Sequence, residues 1–109
     1  MFDLNKLGWT KRDDKSDILF LRVSTLLRMV NKSYPEIIMI LKNKNGIYFS
    51  AYNNIYHIID DFKYNDIEYD LERIKIIENV SNNDDLINVG IASDEIIRDN
   101  KLKKIISQH

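Results

Sequence analysis

Five carboxylates crowd one short stretch of this chain: Asp60, Asp61, Asp66, Glu68 and Asp70, with Tyr64 and Tyr69 among them. Carboxylate oxygens are the ligands that hard divalent cations need, and alternate residues of an extended segment share one face. Asp66, Glu68 and Asp70 would converge in that way. The glycine and terminal glutamate of a calcium-binding loop are missing, however. The run Glu72-Arg73-Ile74-Lys75 also lacks the Glu-x-Lys step that a metal-dependent nuclease strand would carry beside its carboxylate. No metal is expected.

Other catalytic chemistry finds as little support. His57 is the only histidine besides the last residue, His109, and no Gly-x-Ser-x-Gly elbow presents a nucleophile to it. On a helix it would stand beside Tyr56 and Asp60. Gly8, Gly46 and Gly90 are isolated, so no glycine-rich loop can cradle a phosphate, and without cysteine there is no thiol nucleophile, disulfide or Cys-type zinc site. The expectation is a protein with no cofactor and no enzymatic activity.

Recognition is the chemistry that remains. Residues 1–52 hold nine Lys/Arg against five Asp/Glu, residues 53–99 hold four against twelve, and the last ten add three lysines and no acid. A formal net charge of −1 therefore conceals a basic half, an acidic half and a basic tail. Segregated charge steers encounters with partners and says little about fold. Acidic side chains interleaved with tyrosines suit the covering of a basic protein surface, where charge guides the approach and aromatic rings anchor it. On this reading Asp60, Asp61, Tyr64, Asp66, Glu68, Tyr69 and Asp70 contact a basic toxin or nuclease, and the protein is an inhibitor of the immunity or anti-defence kind. The alternative is a small nucleic-acid-binding module in which Lys11, Arg12, Lys15, Lys42 and Lys44 meet phosphates and Tyr48 stacks on a base. A sequence pI near 6.1 is low for that class.

At 109 residues the chain has the size of one domain with its own core, spanning 1–109 with an irregular segment at 1–15. Neither a signal-peptide pattern nor an apolar membrane-spanning run is visible, so a cytoplasmic location is expected. Abundant Ile, Asn, Lys and Asp with few Ala, Gly and Pro suggests an AT-rich bacterial or phage genome.

Several elements would position these residues. Leu4, Leu7 and Trp9 can pin the N-terminal segment to the core. Ser16 is a candidate N-cap, and Leu19, Phe20, Val23, Leu26, Leu27 and Val30 recur at spacings of three and four, predicting one face of a helix to about Lys32 before Pro35. The runs 36–42 and 47–52, joined through Asn43-Lys44-Asn45-Gly46, predict a hairpin whose first strand is covered on both faces. Ile55, Ile58, Ile59 and Phe62 predict a short helix capped by Asn53 or Asn54. The alternation from Ile67 onward predicts an extended region to about Val80 with a bulge near Glu72-Arg73. Ser81–Asp85 reads as a turn and 87–91 as a short strand. Ser93 should cap a last helix, with Asp94 and Glu95 in its first turn, that buries Ile96, Ile97, Leu102, Ile105 and Ile106. The class is α+β: a mixed sheet of about four strands with a central hairpin, packed against two or three helices.

Residues 26–62 resemble the start of the N-terminal domain of the MutS mismatch-repair family, in Tyr34-Pro35-Glu36-Ile37-Ile38, the turn at Gly46, and Ile47-Tyr48-Phe49-Ser50-Ala51-Tyr52-Asn53-Asn54. Residues 89–106, with Val89-Gly90-Ile91 leading into the Ser93 helix, are similar to its last loop and helix. Where the family carries its mismatch-reading Phe and Glu, this chain has Ile47 and Phe49. The resemblance therefore implies a shared topology and no mismatch reading.

Overall fold

The computed structural model describes residues 3–11, 18–31, 38–58 and 66–107. A 3-10 turn at Leu4–Leu7 leads to β1 (Thr10–Lys11) and α1 (Ile18–Asn31). Three strands follow, β2 (Met39–Asn43), β3 (Gly46–Ala51) and β4 (Asn54–Ile58), and then α2 (Ile67–Arg73), β5 (Ile74–Ile77), α3 (Asn83–Asn88) and α4 (Asp94–Ser107). The fold is α+β, as the sequence indicates. Among the described residues its sheet runs β1-β2-β3-β4-β5 and is antiparallel at every pairing, so it is five-stranded and not mixed there.

Two reversals set this order. Between β2 and β3, Asn43 pairs with Gly46, and the Asn43 side-chain oxygen accepts from the Asn45 amide at 2.8 Å. The turn residues are thus Lys44 and Asn45, with Gly46 opening the return strand at φ 127°, where a side chain would be strained. The next reversal is equally tight. Tyr52 and Asn53 stand at φ 53° and 64°, the positive pair that a two-residue hairpin turn favours, so Ala51 faces Asn54 across the ladder. The expected helix from Ile55 is therefore a strand, β4, and Phe62 lies outside the described residues. Periodicity misleads here because Ile55 packs on one face of the sheet and Tyr56 and Ile58 on the other. A strand buried on both faces loses its alternation.

Helices cover both faces. Leu19, Val23 and Leu27 of α1 pack on Ile40, Phe49, Ala51, Tyr56 and Ile58. Opposite them, Leu7, Trp9, Leu86, Ile91, Ala92 and Ile97 pack on Leu41, Tyr48 and Ile55. Leu7 and Trp9 thus pin the N-terminal segment as expected, although it forms the 3-10 turn and β1 instead of staying irregular. Phe49 and Tyr56, direct cross-strand partners, stack at 5.2 Å between ring centroids, a geometry worth about 0.5–1.5 kcal/mol beyond burial.

Four other expectations change. The region from Ile67 begins as a helix, and the phase change at Glu72-Arg73 marks its passage into β5. Ser81–Asp85 is more than a turn, since the Asn82 side chain accepts from the Asp85 amide at 2.9 Å and caps α3. Residues 87–91 end α3 and enter a loop, not a strand, because the amides of Val89, Gly90 and Ile91 are taken by carbonyls of α3. The last helix forms where expected, with the Ser93 hydroxyl accepting from the Ile96 amide at 3.4 Å and Ile97 buried, but Leu102 is exposed. The Ser16 cap and Pro35 stop lie outside the described residues. Among those residues no helix is long and apolar enough to cross a membrane.

Candidate partner-binding surface

Asp66, Glu68 and Asp70 do not form one strand face, because their segment is helical. Asp66 is the N-cap of α2: its Oδ1 accepts from the Tyr69 amide at 3.0 Å. Asp70 lies one turn further on and is fully buried, facing α1. There it accepts from Nε and Nη2 of Arg22, each at 3.3 Å from the same Oδ2. Asp70 is therefore an internal anion that ties α2 to α1, and it is not available as a contact residue. Tyr69 is half-buried; its hydroxyl accepts from Arg73, whose guanidinium carbon stands 4.6 Å from the ring centroid. Glu68 is exposed, and Glu72, four residues on, is exposed with it. These two glutamates form the outward edge of α2. Asp60, Asp61 and Tyr64 lie outside the described residues.

Beside α2, the outward side of α1 is apolar. Its core side is Leu19, Val23, Leu26 and Leu27. Ile18, Leu21 and Met29 nonetheless remain 69%, 46% and 47% exposed, and Val30, expected in the core, is 51% exposed near the end of the helix. Positions 18, 21, 25 and 29 recur at three and four, so they make one stripe turned away from the sheet. Thr25, within that stripe, donates its hydroxyl to the Leu21 carbonyl at 2.9 Å. A surface helix is ordinarily polar on this side, and contiguous exposed apolar groups mark interaction sites. The stripe is hidden in the sequence because the core positions of α1 by themselves satisfy the helical spacing. Removing the core positions from the pattern leaves 18, 21 and 29 in register.

The same sheet separates the described residues of the basic alternative. Tyr48 is buried and stacks on His57 at 4.5 Å between centroids, so it cannot receive a base. Lys11 pairs opposite Met39, whereas Lys42 lies three residues further along β2 and so on the other face. Lys44 sits exposed in the β2–β3 turn, and Arg12 and Lys15 lie outside the described residues. His57 is on β4, with Tyr56 on the opposite face of the sheet, and its Nε2 lies 3.1 Å from the Asn45 carbonyl, to which the Nε2–H tautomer donates. That hydrogen bond and the Tyr48 stack give it a structural place.

Asp85, at the start of α3, is a perturbed carboxylate. Asp85 is held below the usual carboxylate range by the Ser81 amide at 2.9 Å, with the Ser81 hydroxyl at 3.0 Å and the Asn82 amide adding to it. It stabilises the start of α3 and faces no cluster of reactive groups. Among the described residues no three His, Asp or Glu side chains are grouped to hold a metal ion.

Comparison with known proteins finds no matching family model, curated protein or solved structure. None of this bears on the likeness to the MutS N-terminal domain.

Proposed function

We propose that this protein is a non-enzymatic protein-binding inhibitor that docks through the outward faces of α1 and α2 onto a partner with an apolar centre and a basic rim, as a toxin or nuclease would offer. The observation that carries the reading is the stripe of Ile18, Leu21 and Met29, left exposed on α1, with the carboxylates Glu68 and Glu72 exposed on the neighbouring helix α2. Interfaces combine a desolvated apolar centre with a charged rim in this way. Charge complementarity selects the partner: the two exposed glutamates of α2 favour lysine or arginine opposite them and disfavour an acidic surface.

The reading moves the expected interface from a strand face to a helix pair while keeping its acidic character. The test is a tagged capture from the native host at low ionic strength after nuclease treatment, run in parallel with the wild-type chain, an Ile18→Ser/Leu21→Ser/Met29→Ser variant and a Glu68→Lys/Glu72→Lys variant. A stoichiometric protein held by the wild type, lost with the first variant and weakened with the second supports the proposal. Equal retention by all three rejects it, as does recovery that disappears with nuclease.

A further inference from the structure

On the other face of the sheet, two basic parts of the chain far apart in sequence come together. Lys44, from the β2–β3 turn, meets Arg98 and Lys101 of α4 around an open groove of about 370 Å³, with Ile97 and Leu102 as its apolar lining and Asp94 at the start of the helix. Positions 94, 97, 98, 101 and 102 repeat at three and four, so one side of α4 supplies them. The turn is tied to the loop that leads into this helix by Asn43, whose side-chain amide donates to the carbonyls of Gly90 and Ala92, each at 2.9 Å. Placement of Lys44 is thus part of the fold.

We infer that this groove binds a phosphomonoester carried on an apolar or planar body, the chemistry of a nucleoside monophosphate. Three cations less one carboxylate leave the groove with a formal charge of +2. A phosphomonoester carries about −1.5 to −2 at neutral pH and matches it, whereas a carboxylate or a single phosphodiester leaves an excess of like charges. Among the described residues none of Lys44, Arg98 and Lys101 has an ion-pair partner. Beyond Asp94 in the same groove, their mutual repulsion is relieved by solvent, salt or a ligand. Arg98 offers the planar fork that meets two phosphate oxygens at once, and the lysines add point charges. Buried Ile97 and half-exposed Leu102 give the remainder of the ligand apolar surface to cover. The volume falls within the roughly 300–1,000 Å³ of small-molecule sites. This site is independent of the α1–α2 surface, which lies on the opposite side of the sheet.

The test is an amide-resolved NMR titration of the full chain with adenosine monophosphate, adenosine, inorganic phosphate, and a short oligonucleotide with and without a 5′ phosphate. Saturable shifts confined to the β2–β3 turn and residues 94–102 of α4 are expected with the monophosphate, weaker ones with phosphate, and none with adenosine. Arg98→Ala should weaken binding about tenfold, the loss of one charge-assisted contact. Lys103→Ala, exposed on the same helix but outside the groove, should leave it unchanged. Both substitutions are on the surface, and the amide spectrum reports folding directly. Binding by the 5′-phosphorylated oligonucleotide in place of the mononucleotide keeps the chemistry and names a nucleic-acid end as its source. Equal binding of adenosine, equal binding of the unphosphorylated oligonucleotide, shifts centred elsewhere, or no saturation at millimolar ligand overturns the inference.

Discussion

Replacing Arg22 by methionine should destabilise this protein more than replacing its partner Asp70 by asparagine. The two side chains are 48 residues apart in sequence and join α1 to α2. Their exposures are unequal, 15% for the Arg22 side chain and 0% for Asp70. Arg22→Met takes the cation away from a carboxylate that solvent does not reach, and breaking a buried pair in this way costs about 3–5 kcal/mol. Asp70→Asn keeps the volume and one acceptor oxygen, and leaves a guanidinium with some access to water, so a loss of about 1–2 kcal/mol is expected. At roughly 4 °C per kcal/mol for a domain near this size, the arginine variant should melt about 12–20 °C lower. Urea unfolding followed by circular dichroism, with an unchanged m-value, measures both losses. The double variant Arg22→Met/Asp70→Leu, which exchanges the pair for apolar volume, should recover most of the stability. A loss below about 1 kcal/mol for Arg22→Met, or one smaller than for Asp70→Asn, would refute the argument from unequal burial.

Three further outcomes follow from local geometry. Asp66→Ala removes the α2 cap and should cost about 1 kcal/mol in urea unfolding, since one amide of the first turn loses its acceptor. Because the folded pKa of Asp85 is depressed, its contribution to stability is complete above the ordinary carboxylate range and is lost as pH falls through the depressed value; an NMR pH titration should show Ser81→Ala moving that midpoint upward. Gly8→Ala should cost about 1–3 kcal/mol, because φ is 87° there and a Cβ would stand 2.6 Å from the Ser93 Cβ; adding Ser93→Gly should recover the steric part of the loss while the strain at φ remains.

Elements whose local signals agree were legible in the sequence. The β2–β3 hairpin, the core side of α1 and the start of α4 each combine a periodic apolar pattern with a turn or cap residue that supports it. The failures come from two coincidences of spacing. Ile55 and Ile58 are three apart, as on a helix, yet they occupy a strand covered on both faces; the deciding signal was the reversal at Tyr52-Asn53. Asp66, Glu68 and Asp70 alternate with Ile67, Tyr69 and Leu71 as on a strand, although Asp66 is placed to cap a helix with two acids in its first turn. That second misreading hid the most about the candidate site, because on a helix Asp70 turns inward to Arg22 and Glu68 outward. The convergence of Lys44 with Arg98 and Lys101 was not legible at all. It depends on the packing of α4 against the sheet, which no local pattern encodes.

The central claim, that the outward side of α1 is the interface, is tested most directly by site-specific photo-crosslinking in the native host. A photoreactive residue is placed at position 21 on the apolar stripe and, in a separate sample, at position 103 on α4. The account predicts one defined protein adduct from position 21 that resists nuclease, and no such adduct from position 103. An adduct from position 103 with none from position 21 would contradict it.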